Sequence, residues 1–192
     1  MGHYSKRGIK MKEKKLNIEE IKSHIYLGED RKWKNNLDTN CYAYALRIDY
    51  PEDKFFVHAY QLGAFAAIQK RGYIPNDLGF YPYVERLESD LKTLKIKFTE
   101  VDPDVENYCV INEEKGTIDY CWSIALFDGC MDFHFLRKGF DGKWYHKQGY
   151  FLNPINHDND NKKILDPRKC NLGDYEYIKT YQLKLTRNKS DK

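Results

Sequence analysis

The order of the sequence patterns along the chain constrains its fold more than any other feature. Segments with apolar residues at helical spacing come first, and short segments rich in aromatic and β-branched residues follow from Thr117 onward. Helices that precede a group of strands, without alternating with them, are typical of α+β domains. We therefore predict an α+β fold in which N-terminal helices pack on a C-terminal antiparallel sheet.

Four helices and five strands are predicted from these patterns. The helices are Asn17 to about Leu27, Cys41–Ile48, His58–Arg71 and Tyr83–Leu94, and the strands are Ile96–Val101, Ile118–Phe127, Met131–Arg137, Lys143–Lys147 and Tyr175–Leu185. Asp-Gly pairs at 128–129 and 141–142 favour chain reversals at those positions. The segment Asn153–Lys163 has few apolar residues, so we expect it to form an exposed loop.

Length and composition favour one domain. A chain of 192 residues with 41% hydrophobic and 15% aromatic residues is too apolar to be disordered. We predict a flexible basic tail over residues 1–15, a single domain over 16–187 and a frayed C-terminus over 188–192. No apolar stretch approaches the ~18 residues of a membrane span, and no secretory signal is evident. We therefore expect a cytoplasmic protein.

The charge balance and the cysteine content bear on possible partners, disulfides and metal sites. The chain has 32 basic and 29 acidic residues, and much of the excess lies within residues 1–15, which argues against a nucleic-acid partner. Its five cysteines are scattered and form no C-x-x-C pair, so neither a disulfide framework nor a tetrahedral zinc site is favoured. We expect reduced thiols and no cofactor.

Cys41 is the first candidate for chemistry. It follows Asp38-Thr39-Asn40, whose side chains suit a helix cap, and it opens a predicted helix. A thiol in the first turn of a helix lies near unpaired N–H groups and the positive end of the helix dipole, which lower its pKa. We therefore expect Cys41 to react with iodoacetamide near pH 6 ahead of the other thiols. The alternative is that Cys41 is an ordinary small core residue.

His134 and His146 are the candidate bases, and the turn between their strands decides whether they can act together. A five-residue loop over Lys138–Gly142 would place the two histidines directly opposite each other. A two-residue Asp141-Gly142 turn would instead pair His134 with Gly149 and send His146 to the other face of the sheet. Both arrangements remain open at this point.

Three segments carry a resemblance to a known superfamily. They are Asn40–Leu46 (N-C-Y-A-Y-A-L), Asp132–Arg137 (D-F-H-F-L-R) and Trp144–Gly149 (W-Y-H-K-Q-G). Their order, a Cys opening a helix and then histidines on successive strands, resembles that of papain-like cysteine peptidases, and the His-to-His interval resembles the NlpC/P60 branch. More locally, these segments and Leu165-Asp166-Pro167 are similar to a family of bacterial and large-virus proteins with N-C-Y-A-Y-A-L and H-F-Y-R…W-x-H-K-P-G segments, although Gln148 stands where that family has proline.

The resemblance implies a papain-like fold, no cofactor and catalytic roles for a few of the matched residues. Cys41 would be the nucleophile, His134 the general base within about 4 Å of its sulfur, and His146 the group that orients His134. Asp166 is the alternative third member, since effector proteases of the YopT type use an Asp. Asn35, six residues before the Cys, would donate to the oxyanion.

The reaction implied is attack on an amide carbonyl, with a peptide or isopeptide bond of a protein or peptide substrate as the first choice and a peptidoglycan-type amide as the second. Two other readings remain open. One is a zinc site formed by His134, His146 and either Cys41 or Asp166. The other is an inactive papain-like interaction module that binds through some of its 16 tyrosines and 10 phenylalanines.

Overall fold

The computed structural model describes residues 18–27, 39–49, 61–71, 82–130, 132–149 and 152–190. Helices come first and strands follow, so the α+β prediction is confirmed. The elements are α1 (Ile18–Ser23), α2 (Cys41–Ala45), α3 (Ala64–Arg71), α4 (Tyr83–Thr93), β1 (Lys97–Val101), β2 (Tyr108–Asn112), β3 (Thr117–Gly129), β4 (Asp132–Lys138), β5 (Trp144–His146), a short 3-10 helix (Pro167–Lys169) and β6 (Tyr175–Asn188).

The strands of the described residues form one antiparallel sheet in the order β1-β6-β3-β4-β5. The long strand β3 lies at its centre, with β6 along one edge and both β2 and β4 along the other. Strand β2 was not predicted from the sequence. Its residues are mostly exposed on both faces, so it lacks the alternation of apolar and polar residues by which a half-buried strand is recognised.

The alternation of side chains along β3 divides the core into two layers. Trp122, Ile124 and Leu126 pack with the helices on one face of the sheet. Ala125 and Phe127 point to the other face, where they join a smaller cluster around Trp144 and Leu136. The helical face is therefore the larger core, and the second face is covered by segments that follow β5.

Several predicted boundaries are wrong. The chain does not reverse at Asp128-Gly129, because both residues remain in β3 and Gly129 pairs with Asp132 of β4. The C-terminus is not frayed at 188, because Asn188 pairs with Thr117 and the Lys189 amide donates to the Gly116 carbonyl at 2.8 Å. The first helix ends at Ser23 rather than near Leu27.

Some predictions fall outside the described residues. They include the basic tail over residues 1–15, the start of the first predicted helix at Asn17 and the first residues of the helix predicted from His58. Within the described ranges, none of the helices has the length and apolar content needed to cross a membrane.

Candidate active site

The local sequence around Cys41 sets both ends of α2. Asn40 is the N-cap, and its side-chain oxygen accepts a hydrogen bond from the Ala43 amide at 3.0 Å, as the capping residues predicted. The helix ends earlier than the predicted Ile48 because Arg47 adopts a left-handed conformation with φ of 60°. Cys41 is therefore the first residue of a short, capped helix.

Side chains of the sheet hold the C-terminal end of α2. Trp122 of β3 donates from Nε1 to the Ala45 carbonyl at 3.0 Å, and Arg137 of β4 donates to the Tyr44 carbonyl at 3.1 Å. The Arg137 guanidinium also lies over the Tyr44 ring, 4.1 Å from its centroid. Trp122 thus satisfies a carbonyl at the end of the helix, and Arg137 adds a second donor to the Tyr44 carbonyl, which also accepts from the Arg47 amide at 3.2 Å. Both contacts fix α2, and with it Cys41, relative to strands β3 and β4.

A buried carboxylate holds the other side of α2. Tyr42 stacks on Phe135 of β4, and its hydroxyl donates to Oδ2 of Asp90 at 2.7 Å. Asp90, on α4, also accepts from the amides of Gly63 and Ala66 at 2.7 and 2.8 Å, so it caps the N-terminus of α3. Burial raises the pKa of Asp90 to about 7.

The hairpin between β4 and β5 has a register that differs from both predicted ones. His146 lies opposite Leu136, and Lys138 pairs with Trp144, so the loop spans 139–143 rather than 138–142. The difference arises because Lys138 stays in the strand, where its buried ammonium donates to the carbonyls of Pro103 and Val105 at 2.9 and 2.8 Å. The histidines share a face, as in the first of the two arrangements considered, but they are diagonal neighbours rather than directly opposed.

The two imidazole rings nevertheless meet. His134 Nε2 and His146 Nδ1 are 2.9 Å apart, and the ring planes are nearly perpendicular at 89°. Diagonal residues of an antiparallel pair are within reach of long or aromatic side chains, which is why this register still joins them.

Hydrogen bonding of His146 assigns the proton on each ring. His146 Nε2 lies 3.0 Å from the His157 carbonyl oxygen, which can only accept, so Nε2 carries the proton and donates. His146 Nδ1 is then an acceptor, and His134 must donate to it from Nε2. His134 Nδ1 is left with a lone pair, and no described residue forms a hydrogen bond to it. A backbone carbonyl thus fixes the tautomer of the candidate base through a second histidine.

Three of the candidate residues, Cys41, His134 and His146, line one cleft of about 480 Å³, a size typical of small-ligand sites. Cys41 and His134 are 7% and 8% exposed, whereas His146 is 1% exposed, so all three are buried at the cleft wall and His146 is the most enclosed. The other lining residues are amides, aromatic rings, one carboxylate and two apolar positions, namely Asn40, Gln148, Asn159, Phe133, Tyr175, Asp132, Gly149 and Leu172.

The expected activation of Cys41 is not found in this resting state. Burial raises the pKa of the thiol to about 12, and the nearby Asp132 carboxylate raises it further. The backbone N–H groups of Phe135, Tyr42 and Cys41 oppose this effect only in part. The prediction of a low pKa was wrong because it counted the first turn of a helix and not the desolvation of a buried sulfur.

The histidines are also neutral at rest. Burial and the neighbouring His146 lower the pKa of His134 to about 3. Burial lowers the pKa of His146, although the His157 carbonyl and the Asp158 carboxylate oppose the shift. No hydrogen bond joins the Cys41 sulfur to a side chain among the described residues, so the thiol and the imidazole share the cleft as two neutral groups. Contacts of a catalytic pair are often long in the absence of substrate.

Asp166 lies apart from the histidines. It caps the 3-10 helix by accepting from the Arg168 amide at 3.0 Å, and it forms an ion pair with the Arg168 guanidinium at 2.9 Å. It does not line the cleft. The position beside His134 is occupied by His146, and Asn35, the predicted oxyanion donor, lies outside the described residues.

The geometry does not support the alternative hypothesis of a zinc site at His134 and His146. Within the ranges that the structure describes, no group of three or more His, Cys, Asp or Glu side chains could hold a metal ion. The facing nitrogens of His134 and His146 also bond to each other, which uses both of them.

Sequence reasoning missed the residues that complete the cleft wall. The Tyr175 ring lies 5.2 Å from the His134 ring, centroid to centroid, and the Tyr175 hydroxyl approaches Asp132 at 3.4 Å. Gly129 is paired with Tyr175, and a Cβ on it would lie 2.6 Å from that ring. The available signal was the Asp-Gly pair at 128–129, which we interpreted as a turn.

Fold and site together define an α+β protein with a cleft lined by a cysteine at a helix start and by two histidines of the sheet. Comparisons with protein-family models, with curated proteins and with solved structures each found no match. A proposal for its function therefore rests on the sequence motifs and on the geometry of the cleft.

Proposed function

We propose that this protein is a papain-like thiol hydrolase that attacks an amide carbonyl, with a peptide or isopeptide bond of a protein substrate as the first choice. The observation that carries the proposal is the hydrogen-bonded chain that runs from the His157 carbonyl through His146 to His134. It leaves Nδ1 of His134 with a lone pair, and both His134 and Cys41 line the same cleft. Nucleophilic catalysis by a thiol requires a base of suitable tautomer in the same site, and these two residues supply both groups.

The reaction begins from the neutral pair. The Sγ–H proton of Cys41 passes to Nδ1 of His134 as the sulfur forms a bond to the substrate carbonyl carbon, and the π electrons of that carbonyl move onto its oxygen. When the tetrahedral intermediate collapses, the C–N bond breaks and His134 returns the proton to the leaving amine. Water, activated by His134, then attacks the thioester and releases the acid and the Cys41 thiol.

Proton transfer during attack suits the pKa values of these groups. A thiolate–imidazolium pair at rest is disfavoured because burial raises the pKa of Cys41 and lowers that of His134. A neutral imidazole is, however, the form that can accept a proton. The substrate carbonyl, by accepting negative charge on its oxygen, provides the driving force that the resting cleft lacks.

Acylation by a generic activated ester tests the proposal. The protein is first made Cys109→Ser and Cys130→Ser, because these two exposed thiols would react in any case. It is then treated with p-nitrophenyl acetate, quenched in acid and mapped by mass spectrometry. We expect acetyl on Cys41, with acylation at least ~100-fold slower in a His134→Asn variant.

Acetylation that is absent from Cys41, or that is equally fast without His134, contradicts the proposal. That result favours the alternative of an inactive papain-like module that uses the same cleft for binding.

A further inference from the structure

The segment that follows β5 supports the back of the cleft. Ile155 bridges to His146 through two backbone hydrogen bonds of 2.8 and 2.9 Å, which extends the sheet beyond β5. Two residues later, the His157 carbonyl accepts from His146 Nε2. The segment Asn153–Lys163 was predicted to be an exposed loop, and most of it is exposed, yet it carries the atom that sets the tautomers of both histidines.

The Asp158 carboxylate organises this segment. Its Oδ1 accepts from the amides of Asp160 and Lys162 at 3.0 and 2.9 Å, and its Oδ2 accepts from the Asn171 amide at 3.1 Å. The Asp158 amide in turn donates to the Lys162 carbonyl at 2.9 Å. The side chain thus ties the turn that begins at His157 to the chain that follows the 3-10 helix.

We propose that Asp158 is a positioning residue of this cleft, which holds the His157 carbonyl against His146 and places a fixed negative charge behind the His134–His146 pair. The inference rests on the proposed function for its catalytic meaning. When His134 takes the Cys41 proton, positive charge forms on an imidazole whose only described hydrogen-bond partner is another imidazole. A carboxylate behind that second ring favours the charged state from beyond His146.

The charged and titratable neighbours are consistent with this role. His146 faces His134 on β4, and the Asp158 charge raises its pKa against the effect of burial. Asp158 also faces Cys170, whose pKa it helps to raise, and Lys162, which helps to lower the pKa of Asp158 itself. The charge of Asp158 therefore affects titratable groups in the strand before the turn and in the segment that follows the 3-10 helix.

The test is titration of the histidines by long-range ¹H–¹⁵N NMR in Asp158→Asn, with Asp160→Asn as the matched control. Asp160 lies in the same turn and carries the same charge, but its carboxylate bonds the side chains of Asn171 and Lys162. We expect the pKa of His146 to fall by about 1 in Asp158→Asn and to stay unchanged in Asp160→Asn. An unchanged pKa in the first variant, or an equal fall in both, overturns the inference.

A second variant separates charge from folding of the turn. If the amide shifts of residues 160, 162 and 171 show that Asp158→Asn disturbs the turn, Asp158→Glu restores the charge on a longer arm. A wild-type pKa of His146 in this variant supports the inference, and a pKa equal to that of the asparagine variant overturns it.

The readout does not depend on catalysis. If Cys41 is never acylated, the proposed function fails while the titration still decides the role of Asp158. If Cys41 is acylated and the titration is unaffected, only the role of Asp158 fails.

Discussion

Two buried polar sites flank α2, and they differ in whether their hydrogen bonds are complete. On the helical side, Asp90 accepts from two backbone amides and from the Tyr42 hydroxyl, all within the core. On the cleft side, the chain from the His157 carbonyl ends at His134, whose remaining nitrogen and the Cys41 thiol have no side-chain partner among the described residues. Burial of polar groups is common to both sites, so it does not mark function. The two sites differ because only the one at the cleft wall has polar atoms without a side-chain hydrogen-bond partner among the described residues.

The largest effects should separate the two sites completely. Asp90→Ala leaves two amides and a hydroxyl without an acceptor, so we expect a loss of about 3–5 kcal/mol in the free energy of unfolding. Cys41→Ala removes one sulfur from a partly open wall and should cost about 1 kcal/mol or less, yet it should abolish acylation. Urea denaturation and the acetylation assay on both variants measure the contrast. A Cys41→Ala protein as unstable as Asp90→Ala would assign the cysteine to the core.

Removing the second histidine should have an intermediate effect. His146→Ala leaves His134 without its acceptor and frees its tautomer, so we expect Cys41 acylation to slow by roughly 10–100-fold, less than in His134→Asn. The measurement is the acylation rate at neutral pH in the background lacking Cys109 and Cys130. An acylation rate equal to that of wild type would show that the hydrogen bond to His146 does not contribute to the action of His134 as a base.

The pH dependence of stability should have opposite signs in the two sites. The pKa of Asp90 is raised to about 7, so its contribution to stability is full below the ordinary value near 4 and is lost as the pH rises through 7. The pKa of His134 is lowered to about 3, so its contribution is full above about 6.5 and is lost as the pH falls toward 3.

Neutral variants isolate these two contributions. The unfolding free energy of Asp90→Asn, relative to that of wild type, should increase as the pH rises from 4.5 to 7. For His134→Asn the same difference should increase as the pH falls from 7 to 4.5. We expect each change to be on the order of 2 kcal/mol, measured as unfolding free energies in urea. Changes of the same sign in both variants would contradict the assignment of the pKa shifts.

Patterns of neighbouring residues predicted much of the site. The features that they did not predict depend on contacts between residues far apart in the chain. Asn40 and Cys41 are adjacent, so the cap and the helix start could be predicted from the sequence. The shared face of His134 and His146 follows from the parity of a five-residue loop, which was one of the two loops that the sequence allowed. The register itself depends on Lys138, whose buried ammonium bonds carbonyls more than thirty residues earlier in the chain.

The pKa values could not be predicted for the same reason. The high pKa of Cys41 comes mainly from burial against other elements, which no pattern around residue 41 reveals. Likewise, Asp90 stands within a helical pattern as an ordinary polar residue. Its partners, the amides of Gly63 and Ala66, are set by the packing of two helices.

A smaller effect is expected where the sheet supports the cleft. Gly129→Ala would place a Cβ 2.6 Å from the Tyr175 ring, so the ring that packs beside His134 must move. We expect a loss of about 1–2 kcal/mol in stability and a several-fold decrease in the acylation rate. Tyr175→Phe is the control, since it retains the ring and loses only the contact with Asp132. Equal rates in wild type and Gly129→Ala would remove Tyr175 from the account of the cleft.

The smallest effect is expected at the other candidate carboxylate. Asp166→Ala removes the cap and the Arg168 ion pair of an exposed 3-10 helix, for which we expect a loss of about 0.5–1 kcal/mol. The rate of Cys41 acylation should not change, because Asp166 does not line the cleft. A decrease comparable to that of His146→Ala would restore Asp166 as the third catalytic member.

The pH profile of Cys41 acylation tests most directly whether His134 is the base for the thiol. If a neutral imidazole accepts the proton, the wild-type rate should be nearly constant from about pH 6 to 8, since His134 is neutral throughout that range. In His134→Asn, only spontaneous ionisation of a thiol with a pKa of about 12 remains, so the rate should rise about tenfold for each pH unit. Parallel profiles that rise tenfold per pH unit in both proteins would contradict the account.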